Sequence, residues 1–338
     1  MTKSDTTMEL IGILADGELH SGADIARRLQ CSRTAVWKRL QQLRSVDLEI
    51  DAQPGRGYRL SRPIDLLDRQ TLLDALHVDT QSLIERLDVL AVTASTNEFL
   101  RAASWPEYDR MRVALAEFQT GGRGRRGRSW LSPFGSGLCM SASWTFPVTP
   151  PNLPALSLAA GVAVQRALAC FGPTDIGLKW PNDIVAGGAK LGGLLIDVEG
   201  ESAGPLRAVV GIGINIEPVA DLAERFDAVD ALRPVGLRSL GDVATVTRNG
   251  VAGAIIDSLA VVLPRFAATG FAEFADEWRR CDVMRGAAVD LRVGDDSMSG
   301  VAAGIDDDGA LLFDDGDGVR PVLSGEVTVR AAAQGAAR

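Results

Sequence analysis

The chain has 338 residues, 46% hydrophobic and 23% charged, with a net charge of −9, an ordinary balance for a globular protein of two or three domains. Two histidines, His20 and His77, exclude a three-histidine metal site and leave no Ser-His-Asp triad near a nucleophile elbow. Four cysteines (Cys31, Cys139, Cys170, Cys281) without a Cys-x-x-Cys pair argue against a disulfide framework, a zinc site or a redox pair, so no protein-held metal is assigned.

The start, MTKSDTTMEL, lacks an apolar core and a cleavage site, which predicts a cytoplasmic protein without a signal peptide. TTMELIGILAD has apolar residues at helical spacing. HSGADIARRL follows, with Ser21 as N-cap and Asp24 three residues on. In QCSRTAVWKRLQQLRSV, Ser32 is placed to cap a helix whose apolar stripe is Val36, Leu40 and Leu43. The short turn between the last two helices is helix-turn-helix spacing. LEIDAQPGRGYRL then reads as strand, turn, strand, which is a wing.

Charge agrees with that reading. Arg27 to Arg44 holds six basic residues and no acidic one, and residues 1–62 carry about +2 against about −11 for the remainder. A basic face on an acidic protein is the footprint of a phosphate backbone. Ser32, Arg33, Thr34, Lys38, Arg39 and Arg56 are the candidate DNA contacts.

PIDLLDRQTLLDALHVDTQSLIE, from Pro63, predicts a connector and a helix. LDVLAV and RMRVALAEF read as strands around a helix at STNEFLRAAS, and GLCMSASWTF as another strand. LPALSLAAGVAVQRALACF is a long buried helix, interrupted by Gln165 and Arg166 too early to span a membrane. DIGLKW, KLGGLLIDVEG and LRAVVGIGINI are further strands, and helices at about 247–267 and 271–281 close the region. The mixture is α+β (mixed α/β) around one main sheet. From residue 284, short strands separated by acidic Gly/Asp turns suggest a small β-barrel, and the tail AAAQGAAR is expected to be disordered. The domains are set at 1–62, 63–283 and 284–332.

GGRGRRGRSW, Gly121 to Trp130, puts four arginines and four glycines in ten residues. Gly122, Gly124 and Gly127 match G-x-G-x-x-G, but SWLSPFGSG follows and no helix opens, so the dinucleotide reading fails. A P-loop is absent. Arginine forks match carboxylate and phosphate, and glycines let backbone close over a ligand. Such a loop is expected to be mobile when empty and ordered by an anion. The other use for such a loop is nucleic-acid contact. KWPNDIV places Lys179, Asn182 and Asp183 at a strand end, and GGAKLGGLLID places Lys190 beside an apolar strand, where it needs an anion. Asn215 ends the GIGINI strand. Only four lysines occur among 35 basic residues, and two of them stand here. Two lysines, four arginines, several amides and no histidine base suit phosphoryl and nucleotidyl chemistry, which is positioning plus charge stabilisation.

STNEFL, FQTGGRGRRGRSW, KWPNDI, KLGGLLID and GIGINI, in this order, resemble the biotin protein ligase family, and the leading helix-turn-helix makes the chain similar to its bifunctional, repressor-type members. The resemblance covers nearly the whole chain. It implies a winged helix-turn-helix, a class II synthetase-like ligase domain on a mixed sheet, and an SH3-like barrel. It implies ATP, Mg²⁺ and biotin, with biotinyl-5′-AMP as intermediate and corepressor. A lysine of the biotin carboxyl carrier protein of acetyl-CoA carboxylase then accepts the biotin. Carried over, Ser95, Thr96, Asn97 and Gln119 bind the biotin ring system, and Arg123, Gly124 and Arg125 close over carboxylate and phosphate. Lys190, with Arg125, is catalytic and also binds biotin, stabilising charge at its carboxylate and the α-phosphate, while Arg126, Arg128, Trp130, Lys179, Asn182 and Asn215 serve the nucleotide. Asp197 stands where many relatives have the longer Glu, which questions its reach. The resemblance further implies an adenylate-bound homodimer on operator DNA, and no membrane. A lipoate ligase, and a sensor without ligation, remain the competing readings.

Overall fold

The computed structural model describes residues 3–44, 48–172, 175–201, 204–217, 232–240 and 246–329. The tail AAAQGAAR lies outside them. Helices α1 (Lys3–Leu14), α2 (Gly22–Arg28) and α3 (Arg33–Arg44) are followed by the hairpin β1 (Ile50–Gln53) and β2 (Gly57–Leu60). Ser21 Oγ accepts from Asp24 N at 3.0 Å and Ser32 Oγ from Ala35 N at 3.2 Å, so both expected caps form. Val36, Leu40 and Leu43 turn inward onto Leu10, Leu14 and Ile25.

The connector contains two short helices rather than one: α4 (Arg69–Ala75) and α5 (Val78–Leu83). A seven-stranded sheet follows in the order β3-β4-β5-β9-β8-β7-β6. Its strands are β3 (Ile84–Thr93), β4 (Met111–Gln119), β5 (Gly137–Phe146), β6 (Ile176–Lys179), β7 (Asp183–Ala186), β8 (Ala189–Gly200) and β9 (Leu206–Asn215). β3 and β4 run parallel around α6 (Thr96–Ala102), and every other pair is antiparallel. β7 escaped sequence reading because Pro-Asn-Asp reads as a turn and only three residues of the strand follow it.

Helix α6 covers one face of the sheet. On the other lie α7 (Leu156–Ala169) and α8 (Arg248–Thr269), with α9 (Ala272–Cys281) against α7. Every residue of β5 is buried, because it lies under both layers. Helix α8 is long and apolar enough to cross a membrane, yet its Val251, Ile255, Ile256, Leu259 and Leu263 are buried in this core. Five strands complete the chain: β10 (Ala288–Val293), β11 (Asp296–Ile305), β12 (Leu311–Asp314), β13 (Val319–Val322) and β14 (Glu326–Val329), antiparallel in the order β13-β12-β11-β10-β14. Their inward residues, including Leu291, Ala302 and Phe313, merge with the main core.

A buried ion pair holds the connector. Arg248 Nη1 donates to Glu117 Oε2 at 2.6 Å, and both side chains are fully buried. Glu117 Oε1 accepts from Leu67 N at 2.6 Å, and Arg248 also donates to Asp65 O and Gly137 O, both at 2.9 Å. One hydrogen-bonded cluster thus ties the connector to the starts of β5 and α8. Phe134, from the segment after the cationic loop, is buried among the N-terminal helices rather than in the main core.

Candidate active site

The pocket opens on the α6 face of the sheet and encloses about 540 Å³. Its floor includes a row across three strands, in which Gly213, Gly193 and Asp183 are successive register partners. Two glycines make the space. A Cβ on Gly211 would sit 2.3 Å from Asn97 Oδ1, and one on Gly213 would sit 2.5 Å from the Trp130 ring. Hence the small residues of GIGINI are steric requirements of the walls above them.

One end has a lining of amides and hydroxyls, backed by the Asp197 carboxylate. Ser95 is the N-cap residue of α6, and Thr96 and Asn97 form its first turn. Gln119 Oε1 accepts from Thr96 N at 2.8 Å, which fixes the orientation of its amide. Asn97 Nδ2 donates to Asp197 Oδ2 at 2.9 Å and to Leu195 O at 3.2 Å. Ser141 Oγ donates to Asn97 Oδ1 at 2.6 Å and lies 2.7 Å from Thr96 Oγ1. The Asn97 amide is therefore held by protein at both ends. Asp197, despite its shorter side chain, reaches its partner. The Trp130 indole closes this end against Gly213, and its Nε1 is buried without a hydrogen-bond partner among the described residues.

The other end is charged. Lys190 Nζ donates to Asp183 Oδ1 at 2.5 Å, and Lys179 Nζ is 3.5 Å from Asp183 Oδ2. Burial alone would raise the Asp183 carboxyl, but the Lys190 and Lys179 ammonium groups hold it below the ordinary aspartate value. Burial pushes the Lys179 ammonium down, against the pull of Asp183. Asn182 Nδ2 donates to Leu194 O at 2.7 Å, and Asn215 Nδ2 to Lys190 O at 3.2 Å.

The cationic loop lies over this end as a closed turn, with Gly124 N donating to Arg128 O at 2.7 Å and Trp130 N to Gly122 O at 2.9 Å. Three of its four arginines are ion-paired. Arg123 Nη2 is 2.6 Å from Glu98 Oε1, and Arg128 and Arg126 share Glu326 of β14 at 2.5 and 3.7 Å. Arg125 has no carboxylate ion-pair partner among the described residues. Burial, then repulsion from Arg126, lowers its guanidinium below the usual value.

The pocket gathers Ser95, Thr96, Asn97, Gln119, Arg123, Gly124, Arg125, Arg128, Trp130, Asn182, Lys190 and Asn215. Two expected residues do not line it. Arg126, at φ 55° in a 3₁₀ turn, points to Glu326, and Lys179 stands behind Asp183. Asp183 and Ser141 were not among the expected site residues, nor were Glu98 and Glu326; only Asp183 had a local signal, in KWPND. Of the expected DNA contacts, Arg33, Thr34, Lys38 and Arg56 are exposed. Ser32 Oγ is used as a cap, and Arg39 turns back, its Nη1 donating to Cys31 Sγ at 3.4 Å.

A pocket that joins a hydrogen-bonding end to a cluster of lysines and arginines, in a mixed-sheet domain behind a helix-turn-helix, defines a ligase with a DNA-binding module. Residues 89–215 match the Biotin/lipoate A/B protein ligase family, residues 7–59 an HTH domain, and residues 286–330 the Biotin protein ligase C terminal domain. The bifunctional ligase/repressor BirA of Salmonella typhimurium is 35% identical over 334 residues, covering 97% of this chain and 99% of that one. The biotin–[acetyl-CoA-carboxylase] ligase of Mycobacterium tuberculosis is 35% identical over 77% of this chain and 95% of its own. The biotin protein ligase of Aquifex aeolicus, solved with biotin and ATP, superposes with a TM-score of 0.59 at 28% identity, over 73% of this chain and all of that one. The chain belongs to the biotin protein ligase family.

Proposed function

We propose that the chain is an ATP-dependent biotin protein ligase that also acts as a biotinyl-AMP-dependent repressor of biotin genes. A biotin carboxylate oxygen attacks the α-phosphorus of ATP, the bond to the β-phosphate oxygen breaks, and biotinyl-5′-AMP and pyrophosphate form. A neutral lysine amine of the biotin carboxyl carrier protein then attacks the acyl carbon, AMP leaves with the bonding pair, and the nitrogen loses a proton. Mg²⁺ travels with the triphosphate and neutralises part of its charge.

The end lined by amides and hydroxyls takes the ureido ring. Ser95, Thr96 and Gln119 contact it, while Asn97 holds the wall that shapes it. Lys190 stands where the two anions meet and offsets their repulsion. Arg123, Gly124 and Arg125 close over the carboxylate and the α-phosphate. Arg128, Asn182 and Asn215 serve the nucleotide, and Lys179 acts on it through Asp183. Trp130 separates the ring from the nucleotide. What supports this reading most is the continuity of the pocket, in which the hydrogen-bonding wall and Lys190 share one sheet floor.

The module of residues 1–62 binds operator DNA, 63–283 carries the chemistry, and 284–332 closes the cationic loop through Glu326. The adenylate-loaded chain forms a homodimer that presents two modules to two half-sites, and it works in the cytoplasm. Biotin-dependent ATP–pyrophosphate exchange, with lipoate in parallel, tests the ligase. Exchange with biotin alone is expected. Exchange with lipoate alone would reassign the substrate, and none with either would leave a sensor.

A further inference from the structure

Helix α3 has two faces. Val36, Leu40 and Leu43 are buried in the module, whereas Thr34, Trp37, Lys38 and Gln41, at spacing i, i+3, i+4, i+7, form one exposed stripe. Trp37 is 52% exposed in the middle of that stripe. An indole held in water forgoes burial that stabilises most aromatic side chains, and here it stands among polar and cationic neighbours on the helix.

The charges around it point to an occupant. Arg27 and Arg28 are paired with Asp24, and Arg59 with Asp51. Arg33 and Lys38, which bracket Trp37 on the helix, and Arg56 at the wing turn have no carboxylate ion pair among the described residues. A stripe with unpaired cations on both sides of an aromatic ring complements a polyanion with an apolar feature between its phosphates. The second helix of a helix-turn-helix lays its first turns on base edges of the major groove, and the apolar feature there is the C5-methyl group of thymine.

We infer that Trp37 is a base-reading residue, its indole packing on a thymine methyl in each half-site, with Lys38 and Arg33 on the flanking phosphates. The inference rests on the reading of residues 1–62 as a DNA-binding module and adds to it the base that is read. Protein docking through the same indole is the competing use.

The test takes the full chain loaded with biotin and ATP and a pool of random-sequence duplexes long enough for two half-sites. After selection, each thymine of the recovered sequence is replaced singly by deoxyuridine, which lacks only the methyl group. The expected result is one position per half-site where deoxyuridine weakens the wild-type chain about tenfold, the scale of a single lost base contact. At that position Trp37→Ala should bind thymine and deoxyuridine alike. Trp37→Phe should keep the discrimination, and Lys38→Ala should weaken all duplexes uniformly. Equal deoxyuridine penalties in wild type and Trp37→Ala overturn the inference, as does recovery of the same sequence with undiminished affinity by both. If the wild-type chain recovers no sequence, the DNA-binding reading falls and takes the inference with it. Lowered carrier biotinylation by Trp37→Ala, with DNA selection unchanged, also overturns it and assigns the indole to protein docking.

Discussion

The two ends of the pocket are built on different physics. At the ring end, Ser141, Asn97, Asp197, Thr96 and Gln119 satisfy one another through hydrogen bonds that need no ligand. At the charged end, Lys190 and Lys179 share Asp183, Arg123 rests on Glu98, and Arg126 and Arg128 rest on Glu326. A network of amides and hydroxyls backed by one carboxylate presents fixed donors and acceptors, and a neutral ring that enters displaces no ion pair from it. A charged network without ligand must hold internal counter-charges, and an incoming carboxylate or phosphate competes with them. The ring end is thus a template, and the charged end is an exchange of partners.

The strongest way to break this contrast is Lys190→Ala. It should slow biotin-dependent pyrophosphate exchange by a factor on the order of 10² to 10³, the cost of losing one preorganised charge-stabilising group. Near-normal exchange would remove Lys190 from the chemistry. Asp183→Asn comes next. Removing a charged hydrogen-bond partner should lower stability at neutral pH by about 1.5–3 kcal/mol. The sign with pH follows from the depressed Asp183 carboxyl. Its contribution is fully present above the ordinary aspartate value of 3.8 and is lost as pH falls through the lower folded value. The stability gap between wild type and Asp183→Asn, read from urea denaturation, should therefore narrow in acid. A gap constant down to acid pH would show that Asp183 does not act through its charge.

How far each end was legible follows the same divide. The cationic loop, KWPND and KLGG are short strings whose composition already breaks the pattern of the chain, and each marks the pocket. Their partners lie far off: Glu326 is 198 residues from Arg128, Asn97 is 44 from Ser141, and Glu117 is 131 from Arg248. Nothing periodic or local announces such pairs, because folding alone brings them together. Ser141 looked like one more small residue in an apolar strand, and only the register of β5 under α6 gives its hydroxyl a role. Phe134 lay in a segment read as loop, yet it links the pocket's loop to the DNA-binding module. Arg126 failed in the opposite direction. Composition grouped it with its neighbours, while one left-handed residue turned it outward.

The remaining two changes sharpen the contrast from either side. Ser141→Ala leaves the buried Asn97 oxygen without its donor, a loss of about 1–3 kcal/mol at the template end. It should raise KM for biotin about tenfold in pyrophosphate exchange with kcat close to wild type, because the defect lies in the wall rather than at the reacting atoms. An equal fall in kcat would mean that the ring end is not a separate template. Arg126→Ala removes a half-buried, 3.7 Å ion pair outside the pocket, and a loose pair of this kind contributes about 0.2–1 kcal/mol. Exchange should change less than about fivefold, whereas Arg128→Ala, on the same carboxylate but facing the pocket, should raise KM for ATP more steeply. The comparison holds the counter-charge constant and varies only which side of the turn the arginine occupies. If both variants lose the same amount, the loop acts through its total charge. If Arg128 alone matters, the turn at Arg126 selects which cations the nucleotide meets.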